Sequence, residues 1–164
     1  MIFIGLGANL TSPVGSPQIT LTRALGLLAE RGIRVRKVSP YYSTPAWPDP
    51  NDPSYVNAVA AIVTPLAPKA LLQTLHEVEA NLGRVRSVAN APRTLDLDLL
   101  DYEGRVDDGP PILPHPRIAE RAFVLVPLSD IAPQWSHPQT GKRLAQLLEA
   151  IPADERGKIV RLSP

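Results

Sequence analysis

Two aspartates, Asp96 and Asp98, stand two positions apart in an otherwise apolar stretch within residues 92–100. On an extended strand alternate side chains share a face, so both carboxylates would point one way and the intervening leucines the other. Aspartate is a poor strand former, and two carboxylates about 7 Å apart along one strand repel each other unless a cation lies between them. A half-buried strand with one wet face would carry the same pattern, and for an isolated Asp-x-Asp both interpretations are open.

Three arginines accompany this pair. Arg93 comes directly before the strand, and Arg84 and Arg86 lie a short way upstream. Arginines after a helix often do no more than complement its dipole. Here a loop of small residues, 87–91, separates them from Arg93, which suits a mobile lid over a triphosphate. Carboxylates beside guanidinium groups are what a magnesium–polyphosphate substrate needs, so the pattern favours a phosphate-transfer enzyme.

The composition is that of a folded, nearly neutral protein. The 164 residues suffice to bury a core, and 44% apolar residues exclude general disorder. A formal charge of +1 argues against a dedicated nucleic-acid surface, and the lack of cysteine excludes disulfides and thiolate metal sites. The apolar start is too short to span a bilayer and lacks the features of a signal peptide, so we expect a cytoplasmic protein.

Hydrophobic periodicity predicts interleaved strands and helices that would position these groups. The predicted strands are 2–6, 33–43, 55–64 (antiparallel to 33–43), the aspartate strand up to a short hairpin turn at 103–104, and an edge strand 158–162. The predicted helices are 17–31, 68–82 and a last one around 144–151, with a helical turn at 117–121. The order β-α-β-β-α-β predicts an α+β, ferredoxin-like core with an antiparallel sheet, helices packed on it and extra C-terminal elements. We expect a single domain over residues 1–164.

Generic nucleotide motifs are missing. The glycines at 5 and 7 lack the third glycine of a dinucleotide fingerprint, and no P-loop follows anywhere. His76 begins a zinc-like helix motif that has no second histidine, which argues against zinc. Tyr55 and Asn57 share a strand face, an ordinary pairing at a core edge that also suits a flat heterocycle, with Phe123 as a second plate.

Seven segments together make the chain resemble the 6-hydroxymethyl-7,8-dihydropterin pyrophosphokinase family of folate biosynthesis. The most specific is Pro-Arg-Thr-Leu-Asp-Leu-Asp-Leu at 92–99. The others are Gly-Ala-Asn-Leu at 7–10, Tyr-Ser-Thr-Pro at 42–45, Tyr-Val-Asn-Ala at 55–58, Glu-Ala-Asn-Leu-Gly-Arg-Val-Arg at 79–86, Leu-Pro-His-Pro at 113–116 and Arg-Ala-Phe-Val-Leu-Val-Pro-Leu at 121–128. Their order and spacing hold over residues 2–135, and the last thirty residues add little.

The resemblance implies transfer of diphosphate from ATP to the hydroxymethyl group of the pterin, with release of AMP. It implies that Asp96 and Asp98 hold two magnesium ions and act in catalysis together with Arg84 and Arg93. The implied ATP-binding residues are Leu72, His76, Glu79, Arg84, Arg86, Arg93, Leu99, His115 and Arg121. The implied pterin-binding residues are Thr44, Pro45, Ala46, Tyr55, Asn57 and Phe123. We expect a monomer that binds ATP and hydroxymethyl-dihydropterin but neither nucleic acid nor membrane.

One departure and two alternatives stay open. The family loop before Pro92 usually carries an aromatic residue followed by glycine; Asn90 and Ala91 stand there, in a loop about one residue shorter. Trp47 is a candidate for the missing aromatic cover, or simply a partly exposed loop residue. One alternative function is another magnesium-dependent phosphoryl or diphosphoryl transferase with a different small acceptor. The other is a non-catalytic nucleic-acid binder, against which the near-neutral charge and the acidic sheet face argue.

Overall fold

A computed structural model describes all residues from 1 to 164 and contains one six-stranded sheet with helices on both faces. The strands are β1 Ile2–Ala8, β2 Arg34–Val38, β3 Tyr42–Thr44, β4 Tyr55–Val63, β5 Asp96–Tyr102 and β6 Val160–Arg161. The α-helices are α1 Pro17–Glu30, α2 Pro68–Asn81, α3 Ala122–Ile131, α4 Leu144–Ala150 and α5 Ala153–Gly157, and a 3₁₀ turn covers Ile118–Glu120. No helix has the length and apolar character needed to cross a bilayer.

The sheet is antiparallel throughout, in the order β5-β1-β4-β3-β6, and β2 also pairs with β4. β2 and β3 both lie along β4 and together take the place of one strand. With β2 and β3 counted as one strand, the core contains four strands, and across the sheet they lie in the order fourth, first, third, second of the chain. This order confirms the predicted ferredoxin-like arrangement.

The predicted strand 33–43 is wrong as one element, because the chain breaks between β2 and β3. Pro40 has no N–H to donate to the ladder. At the break, the backbone N–H of Ser39 donates to the carbonyl of Val59 (2.9 Å) and its Oγ accepts from the Val59 N–H (3.0 Å). The predicted turn at 103–104 is present, with positive φ angles at Glu103 and Gly104, but no return strand follows it, so the expected hairpin is absent.

The first sheet face is fully apolar and is covered by α1 and α2. Pro17 and Pro68 stand at the first turn of these helices, where a missing N–H costs nothing. The stripe of α2 predicted from its leucines is buried against β1, β4 and β5, as the full burial of Leu71 and Leu75 confirms. Together, α1 and α2 support β1, β4 and β5 from behind.

The second face is divided into two halves. One half is apolar and packs under α3 and α4 through Phe3, Val59, Ala61 and Leu100. The other half, which we call the open half-face, carries small and polar residues instead: Gly5, Gly7, Tyr55, Asn57, Asp96 and Asp98. Polar side chains and glycines contribute no apolar surface for a helix to cover, so this half stays accessible.

A bulge in β5 separates the two halves. The register with β1 slips between Phe3 and Ile4, so that Leu100 is an extra residue. Leu100 and Asp101 consequently face the same layer. The Asp101 carboxylate is buried there and accepts hydrogen bonds from Trp135 Nε1 (2.8 Å) and the Gly104 N–H (2.9 Å).

Candidate active site

A cavity of about 650 Å³ lies over the open half-face. Its floor is β1, β4 and β5, and its walls come from the start of α3, the proline-rich loop after β3, the loop before β5 and the C-terminal segment. The lining side chains discussed below are Thr44, Pro45, Ala46, Trp47, Tyr55, Asn57, Asn90, Arg93, Asp96, Asp98, Arg117, Glu120, Arg121, Phe123, Glu155, Lys158 and Ile159. Most of these belong to the predicted acceptor and phosphate sets.

The strand register brings the predicted groups together. Gly7 pairs with Asp96 on one side and with Asn57 on the other, and Gly5 pairs with Asp98. Glycine leaves the floor flat between the carboxylates and the amide. A Cβ on Gly7 would come within 2.7 Å of Asn57 Oδ1, so any larger residue there disturbs the amide. The sequence analysis tested these glycines only as part of a dinucleotide fingerprint and missed this role.

Both aspartates face the cavity from one side of β5, as their spacing predicts, and both are bridged by arginines. Arg84 Nη1 lies 2.7 Å from Asp96 Oδ1, Arg93 Nη1 lies 3.4 Å from Asp96 Oδ2, and Arg121 Nη1 lies 3.3 Å from Asp98 Oδ2. Burial, and then the neighbouring charge of Asp96, raise the pKa of Asp98 to about 6. The pair therefore carries more negative charge than its surroundings readily tolerate.

This donor set fits magnesium delivered with a phosphate substrate. No group of three or more His, Cys, Asp or Glu side chains forms a complete metal cage in the chain. Magnesium commonly binds one or two carboxylates and takes its remaining ligands from substrate phosphates and water. Two adjacent aspartates at the floor of an open cavity meet that requirement.

Glu79 organises the arginines from beneath. It is only 2% exposed, its Oε1 lies 2.9 Å from Arg84 Nη1, and its Oε2 lies 2.7 Å from Arg86 Nη2. Oε1 also accepts a hydrogen bond from the Leu97 N–H (2.8 Å), which ties the end of α2 to β5. Burial raises the pKa of Glu79, and the Leu97 hydrogen bond and the arginines oppose that shift. Both oxygens are engaged within the protein, so a contact of Glu79 itself with nucleotide stays a prediction.

The loop between α2 and β5 forms a second, smaller pocket of about 170 Å³, lined by Arg84, Arg86 and Arg93. Asn9 holds the end of this loop. Its Oδ1 accepts from the Arg93 N–H (2.8 Å), and its own N–H donates to the Arg93 carbonyl (3.1 Å). The sequence analysis noted Asn9 only as part of the segment 7–10, and its pairing with a segment far along the chain left no local signal.

The predicted acceptor residues gather at the other end of the cavity. Asn57 Nδ2 donates to Thr44 Oγ1 (2.7 Å), and both residues are buried. Tyr55 lies on the same strand face, while Phe123 lies at the start of α3 with the Arg121 guanidinium 5.5 Å from its ring centre. A flat ring could therefore lie between them with its polar edge at the amide.

The rim carries both candidates for an aromatic or polar cover, because Trp47 and Asn90 each line the cavity. The Trp47 side chain belongs to a residue that is 63% exposed, and its ring centre lies 5.8 Å from the Arg117 guanidinium carbon. Arg117 is also paired with Glu120 at 2.7 Å, and neither of those two was predicted as a site residue.

Seven of the nine predicted nucleotide-binding residues do not line the 650 Å³ cavity: Glu79, Arg84 and Arg86, described above, and four more. Leu99 faces the apolar core, Leu72 packs against its edge, and His76 is exposed on α2. His115 follows the second proline-rich segment; its Nδ1 accepts from the Arg117 N–H (3.1 Å), and burial lowers its pKa to about 4. For Leu99 the buried side chain leaves only the backbone to face a nucleotide, and nucleotide contact by all four stays a prediction.

Comparison with known proteins identifies the family. The family model for 7,8-dihydro-6-hydroxymethylpterin-pyrophosphokinase matches residues 3–133, which include the aspartate strand, both proline-rich segments and Phe123. The chain belongs to this pyrophosphokinase family. Membership confirms the resemblance drawn from the sequence and, with it, the enzyme class.

Curated relatives are similar to this chain over most of their length. A 2-amino-4-hydroxy-6-hydroxymethyldihydropteridine pyrophosphokinase of Synechocystis sp. is 40% identical over 149 residues, covering 90% of this chain and 74% of the relative. Proteins of the same name from Methylorubrum extorquens and Pseudomonas aeruginosa are 45% and 41% identical, over 80% and 92% of this chain and 82% and 91% of the relatives.

A solved structure is similar in fold. It is described as an HPPK-DHPS in complex with substrates, and it superimposes with a TM-score of 0.68 at 12% identity. The match covers 91% of this chain and only 43% of that longer chain. At this identity the similarity supports the fold alone.

Proposed function

We propose that this protein transfers diphosphate from ATP to the hydroxymethyl group of 6-hydroxymethyl-7,8-dihydropterin, releasing AMP and the pterin diphosphate. One observation carries the proposal. A single cavity is lined by two carboxylates paired with arginines and also by a buried amide and the aromatic residues Tyr55 and Phe123, so that a polyphosphate and a flat alcohol would meet inside it.

At the phosphate end, Asp96 and Asp98 would hold the metal, as two magnesium ions that accompany ATP. When bound, magnesium neutralises phosphate charge and stabilises both the attacking and the leaving oxygen. The carboxylates form ion pairs at 2.7–3.4 Å with Arg84, Arg93 and Arg121. When a cation binds the carboxylates instead, the same guanidinium groups can turn toward phosphate oxygens.

At the acceptor end, the hydrogen bond from Asn57 to Thr44 fixes the amide, so that its remaining donor and acceptor atoms face a ring edge in a defined direction. Tyr55 and Phe123 would pack on the ring faces. Diphosphate transfer asks little covalent chemistry of a protein and depends mainly on alignment and charge neutralisation. Two binding ends on one rigid sheet supply that alignment.

The deciding experiment is product analysis after incubation with ATP, magnesium and hydroxymethyl-dihydropterin. We expect AMP and a pterin diphosphate by mass spectrometry. Asp98→Asn should lose this activity, whereas Asp108→Asn, an exposed aspartate without ion pairs, should keep it. Release of ADP, or turnover only with another alcohol, would favour the alternative of a different magnesium-dependent transferase. The number of ions, a monomeric state and a cytoplasmic location stay predictions.

A further inference from the structure

The C-terminal segment 153–161 contributes a wall of the cavity, although it lies beyond residue 133, where the family match ends. β6 pairs with β3, with Tyr42 opposite Arg161 and Ser43 opposite Val160. The Leu162 N–H also donates to the Tyr41 carbonyl (2.8 Å). The segment is therefore joined to the strand that carries Thr44.

This wall adjoins the acceptor end of the cavity. Lys158 caps α5 just before β6, and it lines the same cavity as Thr44 and Pro45. β6 and β5 are the two edges of the path β5-β1-β4-β3-β6, so four strand spacings, about 19 Å, separate the backbone of β6 from that of the aspartate strand. Ile159 and Phe123 both pack against the apolar cluster under α3 and α4, which gives the wall an apolar backing.

Lys158 is the one basic side chain lining the cavity that forms no ion pair. The three lining arginines pair as Arg93–Asp96, Arg117–Glu120 and Arg121–Asp98. An ammonium has three donors and no acceptor, and its flexible stem lets it turn toward an oxygen that enters the cavity. Asn57 and Thr44 already engage each other, which leaves room for a further donor at this end.

We propose that Lys158 is an acceptor-binding residue whose ammonium donates a hydrogen bond to the ring carbonyl oxygen of the acceptor, and that segment 153–161 forms the wall that presents it. This inference rests on the proposed function, because it assigns the far end of the same cavity. The inference concerns affinity for the acceptor and not the chemical step, because the C-terminal segment and the aspartate strand lie at opposite edges of the sheet.

The test compares Lys158→Met with Arg156→Met. Arg156 is an exposed cation two residues earlier, in α5, that does not line the cavity, so both variants replace one cation of the segment by the same uncharged side chain. We expect Lys158→Met to raise the KM for the pterin about tenfold, the scale of a hydrogen bond to a charged group. Its kcat and its KM for ATP should stay within about twofold of the parent, and Lys158→Arg should restore much of the pterin affinity.

Calorimetric titration with pterin in the presence of a non-hydrolysable ATP analogue gives a second readout, and thermal unfolding checks that each variant is folded. An unchanged pterin KM in Lys158→Met, or an equal rise in Arg156→Met, would overturn the inference while parental AMP release still supports the proposed function. If the parent releases no AMP with the pterin, the proposed function fails and the assignment of Lys158 fails with it.

Discussion

The substitution Gly7→Ala tests whether the flat floor of the cavity positions the acceptor amide. A methyl group at Gly7 would stand 2.7 Å from Asn57 Oδ1 and at ordinary distance, 3.8 Å, from Tyr55 Cδ1. Asn57 is 7% exposed and holds Thr44 Oγ1 at 2.7 Å, so it has little room to retreat. Gly7 lies in a regular strand, and alanine therefore brings no backbone strain there.

The magnitude follows from the displacement. A carbon–oxygen contact relaxes to about 3.3 Å, which moves the amide oxygen by about 0.6 Å. Such a shift weakens the bond to Thr44 and the bond to the acceptor, each worth about 1 kcal/mol. We expect a loss of about 1–2 kcal/mol in acceptor binding, or a rise of about five- to thirtyfold in the KM for the pterin.

The assay is AMP release at saturating ATP, with the pterin varied, for the parent, Gly7→Ala, Asn57→Ala and the double variant. If the methyl acts through the amide, its effect should largely disappear in the Asn57→Ala background. Gly26→Ala, a helical glycine whose added Cβ would meet only Arg23 Nη1 at 3.6 Å, is the matched control and should leave the KM unchanged. The reasoning is refuted if Gly7→Ala keeps the parental KM, or if its full effect persists without Asn57.

Four further predictions concern the same site. Asp96→Ala and Asp98→Ala should each abolish AMP release while the circular dichroism spectrum is kept, because each removes one of the two carboxylates proposed to hold the divalent cation. Arg93→Ala should lower the rate by about a hundredfold or more, the scale for one preorganised charge stabiliser. Trp47 fluorescence should change when pterin and an ATP analogue bind together, because its ring lies at the cavity rim. His115→Asn should reduce the pH dependence of the free energy of unfolding. Burial lowers the pKa of His115 from 6.5 to about 4, so between these pH values the unfolded chain binds a proton that the folded chain does not. The free energy of unfolding therefore falls as the pH drops through that window. Allowing for partial exposure, urea titrations should show a difference of about 1–2 kcal/mol across it.

Each of these has a contrary outcome. Near-normal magnesium-dependent turnover in either aspartate variant, with Asp108→Ala as control, would remove the pair from the metal site. An unchanged rate in Arg93→Ala would reduce that arginine to a structural role. If the fluorescence change on ligand binding is the same in the parent and in Trp47→Phe, with binding confirmed by calorimetry, the Trp47 indole does not contact the ligands at the rim. A parental pH slope in His115→Asn would show that the imidazole does not titrate as described.

Local patterns predicted the parts of the fold in which periodicity and burial agree. The alternation around Asp96 and Asp98 gives a strand with one polar face, and the leucines of α2 give one apolar stripe, because each period matches the geometry of its element. The break at Pro40 was visible as a proline, yet the compensating bonds from Ser39 to Val59 depend on a strand twenty residues away. No short-range signal describes such a contact.

Long-range partners explain most of what the sequence left undetermined in the site. Arg121 reaches Asp98 across 23 residues, and nothing in either segment specifies that pairing. Glu79 has the composition of a surface residue, and glutamate is rarely fully buried unless it is paired. The structure explains its burial, because Arg84, Arg86 and the Leu97 N–H all contact the Glu79 carboxylate. The edge strand predicted at 158–162 is present only as Val160–Arg161, and the sequence did not indicate that it pairs with β3 and brings Lys158 to the cavity.

The hydrogen bond from the Trp135 indole to Asp101 has a consequence for hybrid enzymes. Residue 133 ends the family match and is an obvious junction for swapping tails between relatives, yet the indole donor lies just past it, while its carboxylate partner, 4% exposed, lies before it. A foreign tail without an equivalent donor would leave the buried Asp101 carboxylate, which lies on the same strand as Asp96 and Asp98, with the Gly104 N–H as its one remaining donor. Productive grafts would therefore carry Trp135 with the host sequence, or exchange both ends of the bond together.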